Sequence, residues 1–143
     1  YTGAGRGGGA IHVLARGPMN IDGTLTANGG KGAYHEGYGG SGGSILLSCL
    51  RLRGTGTLQA RGGARYSSSA NHGGGGRIAV WQFVPLPGAV NRVADRDVGR
   101  LTREETLRGF DGTVDVGAGG PGDGATDGTT AYMISRTSML ILR

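Results

Sequence analysis

The strongest constraint on the fold is that the sequence restates one plan every 33 or 34 residues. GGGAIHV (7–13) leads to GTLTANGG (23–30) and the polar loop KGAYHEGYGG (31–40); GGSILLS (42–48), GTLQARGG (56–63) and ARYSSSANHGG (64–74) follow the same course. A third statement opens at GGRIAVW (75–81), breaks off, and resumes at GTVDVGAGG (112–120), an Asp/Gly-rich loop and TTAYMI (129–134). Ile11, Ile45 and Ile78 are separated by 34 and 33 residues, and Leu25 and Leu58 by 33. Self-similarity at such a period means that each unit buries its apolar face only by stacking on its neighbours.

Repeats of this length also occur as helical pairs, but glycine pairs recur inside every unit here and the apolar positions alternate, which is the period of a strand. Equivalent strands of successive units would lie about 4.8 Å apart in parallel register, so that like residues stack. The expected inward ladders are Ile11/Ile45/Ile78, Val13/Leu47/Val80, Leu25/Leu58/Val114 and Ala27/Ala60/Val116. His12/Leu46/Ala79 and the threonines 24, 57 and 113 point outward. The pairs Gly29–Gly30 and Gly62–Gly63 are expected at corners, where the chain needs positive φ or close backbone approach. The predicted fold is all-β: a right-handed parallel β-helix, or solenoid, of about three glycine-rich coils with one irregular charged insertion.

The 143 residues suit one domain. Its expected parts are coil 1 at 7–40, coil 2 at 41–74, coil 3 at 75–81 plus 112–134, an insertion at 82–111 and a terminal strand at 135–143. The insertion holds Pro85 and Pro87, which rule out a continuous central strand there, and ten charged residues. Thr102 and Glu105 have the spacing of a capping box for one short helix. Either a cap on one flank or a contact surface for a partner accounts for it.

The string GG-S/A/R-I-x-V/L, then G-T-L-x-A-x-G-G, a small polar loop and GGGGRIAV resembles the glycine-rich parallel β-helix regions of large bacterial surface and secreted proteins. The resemblance covers 7–81 well and 112–134 more loosely. It implies an extracellular or cell-surface setting with adhesive, scaffolding or appendage roles. It carries over no catalytic residue, because the shared positions are glycines and core aliphatics.

Charge and reactive side chains point the same way. The formal net charge is +5, with Lys31 the only lysine, and residues 1–81 hold only Asp22 and Glu36 against eight basic residues. One end is therefore expected to be the more positive, a surface suited to acidic glycans or cell-surface polymers. Cys49, the only cysteine, excludes an internal disulfide and falls in phase with Ile45 and Leu47. No apolar run approaches the ~20 residues of a transmembrane helix. With Tyr1 first and no n-region or apolar h-region before it, the chain is expected to be a processed product or a fragment of a longer protein.

GAGRGGG (3–9) lacks the preceding strand and following helix of a dinucleotide fingerprint. The Arg-Gly segments lack interleaved aromatics for nucleic acid, so no specific nucleic-acid partner is expected. His35 and His72 occupy comparable loops, near Glu36, as a conceivable metal pair. GGPGDGATDG (119–128) partly matches a calcium-binding glycine–aspartate turn, with Asp123 and Asp127 as the candidate ligands. Otherwise no cofactor is expected. Asp95, Asp97, Glu104 and Glu105 interleave with arginines as surface ion pairs, and no carboxylate pair, serine or thiol has the setting of a catalytic group.

The chain is therefore expected to be a non-enzymatic extracellular structural protein that assembles head-to-tail with itself into a filament, appendage or adhesin. Met139, Leu140, Ile141 and Leu142 are the expected assembly strand, being apolar on both faces. The rival expectation is a carbohydrate-binding or polysaccharide-degrading β-helix protein, for which only Trp81 and the tyrosines at 34, 38 and 66 offer aromatic platforms.

Overall fold

A computed structural model describes residues 3–34, 37–83, 98–100 and 109–135. They form ten strands and no helix: β1 (Ala10–Leu14), β2 (Met19–Asn20), β3 (Thr24–Thr26), β4 (Ser44–Cys49), β5 (Leu52–Arg53), β6 (Thr57–Gln59), β7 (Arg77–Phe83), β8 (Val98–Arg100), β9 (Thr113–Asp115) and β10 (Thr129–Ser135). The strands pair between repeat units rather than within them. One sheet has the order β1-β4-β7-β10-β8, a second is β2-β5 and a third is β3-β6-β9.

This arrangement corrects the expectation of a right-handed parallel β-helix or solenoid. The described strands make three separate short sheets, and none continues into another. The largest sheet is mixed, because β8 pairs antiparallel with Met133–Ser135 of β10. Thr129–Ser135 does not complete the third unit; it lies parallel to β7, Thr129 opposite Arg77, and begins a fourth row. The physical reason is that glycine pairs and polar loops, which the alternation treats as mere corners, form the greater part of each unit and carry no strand backbone.

Within the sheets the parallel register places Ile45 between Ile11 and Ile78, Leu47 between Val13 and Val80, and Leu58 between Leu25 and Val114. Ile45, Leu47, Leu52, Leu58, Ile78, Val80 and Cys49 are essentially inaccessible to solvent. Complete burial of a Leu or Ile contributes about 1.5–3 kcal/mol, and these residues form one continuous core with Ala27, Ala60, Phe110 and Tyr132. Gln82 enters that core at the end of β7, where its Oε1 accepts the Leu52 N–H at 3.4 Å. Burial of its amide is thereby compensated. Phe110 reaches the core through an isolated parallel bridge to Gly54, so the insertion returns to the body of the fold one residue before its expected end.

The glycine-rich segments pack by main chain alone. Gly5 and Gly8 donate to Tyr38 and Ser41, Gly29 and Gly32 to Arg61 and Ala64, and Gly39 and Gly42 to Asn71 and Gly74, each pair at 2.7–2.9 Å. Donors and acceptors three residues apart are the period of an extended chain with three residues per turn, the geometry of polyproline II. Crosswise bonds tie these segments together: Gly30 N to Arg6 O, Gly40 N to Gly30 O, Gly63 N to Gly40 O, Gly73 N to Gly63 O and Gly119 N to Gly73 O. Glycine is required there by proximity. A Cβ at Gly63 would lie 1.9 Å from Gly30 O, and one at Gly29 2.0 Å from Gly40 O. Positive φ is not the reason, since among the described glycines it occurs only at Gly54, Gly109, Gly122 and Gly124.

Candidate functional site

The candidate residues fall into three places. The first is where the Asp/Gly-rich loop meets the loop before β7. Asp123 has a side chain only 6% exposed; its Oδ2 accepts the backbone N–H of His72 at 2.5 Å and lies 3.5 Å from Arg65 Nη1, while Oδ1 accepts the Ala125 N–H at 3.3 Å. The His72 N–H, the Ala125 N–H and the nearby His72 and Arg65 side chains favour the ionised carboxyl and hold it below the usual carboxylate range, against a smaller opposing effect of desolvation. His72 Nδ1 accepts the Arg65 N–H at 3.2 Å, and its Nε2 lies 3.9 Å from Asp123 Oδ2. Arg65 Nη1 also reaches Ala70 O at 3.2 Å. This cluster ties the two loops together through one carboxylate.

Asp127, the other candidate calcium ligand, stands apart from that cluster, its Oδ1 accepting the Ala118 N–H at 2.8 Å. Both aspartates thus already serve backbone donors, the common use of Asp in turns. Among the described residues no three His, Cys, Asp or Glu side chains gather as a metal-ligand set. His35 and Glu36 lie outside the described residues, as do Asp95, Asp97, Glu104, Glu105, the capping-box pair Thr102 and Glu105, and the assembly strand Met139, Leu140, Ile141 and Leu142.

The second place is an open groove of about 410 Å³ across the starts of β4, β7 and β10. Its walls are largely glycine main chain, with Ser44, Arg77, Asp127 and Thr129 as the polar side chains. Arg77 Nε donates to Thr129 Oγ1 at 3.3 Å across neighbouring strands.

The third is the outward face of β3-β6-β9, where Thr24, Thr57 and Thr113 stand side by side, followed by Thr26, Gln59 and Asp115. Asn28 Oδ1 accepts the Arg61 N–H at 2.8 Å, its Nδ2 donates to Gln59 Oε1 at 3.3 Å, and Arg61 pairs with Asp115 at 3.5 Å. The face is flat, polar and internally bonded. Asp22 has a comparable role at its edge, with Oδ2 accepting from Asn20 Nδ2 and Oδ1 accepting the Thr55 N–H of the next unit at 3.1 Å.

Elsewhere, Cys49 is fully buried, and burial pushes its thiol up to about 11, which removes the thiolate needed of a nucleophile at neutral pH. The segment 3–9 makes no phosphate cradle, because its Gly5 and Gly8 N–H groups are bonded to Tyr38 and Ser41. Tyr34, Tyr38 and Tyr66 are exposed, whereas Trp81 stacks against Phe83 with ring centroids 6.2 Å apart. Arg65 and Asn28 were not singled out by the sequence; their partners lie 58 and 33 residues away, and no local pattern signals such contacts. No helix among the described residues is long and apolar enough to cross a membrane. No protein-family model, curated protein or solved structure matches the chain.

Proposed function

We propose that this chain is a non-enzymatic structural module of an extracellular scaffold or surface adhesin, in which repeat units are stacked by main-chain hydrogen bonds. The observation that carries this reading is the crosswise glycine series through Arg6, Gly30, Gly40, Gly63, Gly73 and Gly119. It links every unit to the next without using a side chain, so the outer surface is free to vary while the stack is kept. The polar side chains of the three candidate places support the same reading, since those with described partners cap loops or bridge neighbouring units.

Exposed Arg6, Arg16, Arg51, Arg53, Arg61 and Arg77 suit contact with acidic glycans. The test is a panel of polysaccharides treated with the whole chain. A structural module releases no new reducing ends, and any binding to acidic polymers weakens as salt is raised. Sustained cleavage of one polysaccharide would sink the proposal.

A further inference from the structure

We propose that the open end of the first unit is a docking face for one further repeat unit of this chain's own plan, joined ahead of it and laid parallel and in register. This deepens the structural-module reading and rests on it.

Two columns of glycine carry the argument. Gly9, Gly43, Gly76 and Gly128 occupy equivalent positions immediately before β1, β4, β7 and β10. A Cβ at Gly43 would lie 1.9 Å from Gly9 O, one at Gly76 2.0 Å from Gly43 O, and one at Gly128 1.9 Å from Gly76 O. Each later glycine is thus demanded by the carbonyl of the unit before it. At Gly9 a Cβ would meet nothing within 4 Å among the described residues. The second column behaves alike: a Cβ at Gly56 would lie 2.3 Å from Gly23 O and one at Gly112 2.0 Å from Gly56 O, yet at Gly23 a Cβ would meet nothing within 4 Å among the described residues. The first unit therefore carries glycine at the two places where only a preceding unit would require it.

The hydrogen bonds repeat the pattern. The residue after each later glycine donates its N–H to that same preceding carbonyl: Ser44 to Gly9, Arg77 to Gly43, Thr129 to Gly76, Thr57 to Gly23 and Thr113 to Gly56, all at 2.9–3.0 Å. Ala10 and Thr24, the corresponding residues of the first unit, have no such acceptor among the described residues. The apolar column also ends open. Ile11, Val13, Met19, Ile21 and Leu25 are only partly buried, against the complete burial of Ile45, Leu47, Leu52 and Leu58 one unit on. β1, β2 and β3 are edge strands of their three sheets, and natural proteins do not leave such edges uncovered without cause.

A second copy placed end to end fits this face poorly. β10 is already covered by antiparallel β8 over Met133–Ser135, and it is the fourth parallel strand of its sheet whereas β9 is only the third of its own, so among the described residues no end of a second copy offers three parallel edges in line with β1, β2 and β3. A complete unit fills all three edges at once.

The test inserts a copy of residues 41–73 between Arg6 and Gly7 of the whole chain, which keeps the repeat in phase. The extended chain should melt higher than the parent. Gly9→Ala should change the parent's melting temperature by no more than about 2 °C and lower that of the extended chain by about 5 °C or more, beyond the ~2–4 °C that 1 kcal/mol gives in a chain of this size. If the extended variant fails to fold, hydrogen exchange on the unsubstituted chains decides: the Ala10 and Thr24 amides should be fast in the parent and at least tenfold slower in the extended chain. Equal responses to Gly9→Ala, or unchanged exchange at both amides, would overturn the proposal. So would a concentration-dependent dimer of the parent that Gly9→Ala dissociates, because the face would then belong to a second copy. Neither result touches the polysaccharide test, so this inference can fail while the structural-module reading stands.

Discussion

The Asp123 carboxylate accepts the backbone N–H of His72 at 2.5 Å, joining a loop of the third unit to one of the second across 51 residues of sequence. Its carboxyl titrates below the usual carboxylate range in the folded chain, first because of that hydrogen bond. A group depressed on folding stabilises the fold above its unfolded pKa, about 3.9 for Asp, and that stabilisation is lost as pH falls through the folded value. Asp123→Asn should therefore lower the melting temperature at pH 7, and the gap to the unsubstituted chain should narrow below about pH 4. A gap that is constant from pH 7 to pH 3 would remove the ionised carboxylate from the explanation.

Leu58 is completely buried, with Leu25 and Val114 as its strand neighbours, while adjacent Gln59 faces outward beside Asn28. Leu58→Ala should cost about 2–5 kcal/mol, and Leu58→Asp should prevent folding by placing an unpaired charge in the core. Gln59→Asp should stay within about 1 kcal/mol, the range of a partly exposed side-chain contact. Denaturant unfolding of the three variants checks the inward phase directly.

Gly63 and Gly17 separate crowding from composition. Gly63→Ala sets a methyl group against Gly30 O and should destabilise by about 1–3 kcal/mol or more, as overpacking does. Gly17 has open space around it and no positive φ, so Gly17→Ala should be neutral or stabilise by about 0.4–1 kcal/mol. Comparable losses at both sites would mean that the close approach in the glycine array is wrong.

Cys49 should resist modification. Its thiol is buried and pushed up to about 11, so alkylation at pH 7.5 should be at least about a hundredfold slower than in denaturant. Rapid reaction in the native chain would show that the end of β4 opens readily.

Parts of this architecture are legible in the sequence for definite reasons. A two-residue alternation repeated at 33–34 residues suffices to set Ile45 opposite Ile11 and Ile78, since shifting by one would turn every apolar side chain outward. The β2-β5 sheet is not legible, because two residues per strand give no period, although Leu52 is wholly buried. Phe110 is hidden in a charged insertion whose composition argues against core. The glycine pairs leave two readings open, positive φ or close approach, and the neighbouring carbonyl distances at Gly29, Gly62 and Gly63 decide for close approach. Asp123 reads locally as a turn aspartate, and its bond to His72 exists only once the loops are stacked.

The glycine array also separates order from spectroscopic signature. Its segments have neither helical nor strand backbone, so far-ultraviolet circular dichroism registers them much as it does an unfolded chain, through the polyproline II conformation common to both. Their amides are nevertheless tied to fixed carbonyls in neighbouring units. The dichroism of the folded protein would thus show the strands and under-report the glycine segments, which should nevertheless resist proteases, so ellipticity alone understates how much of the chain is ordered.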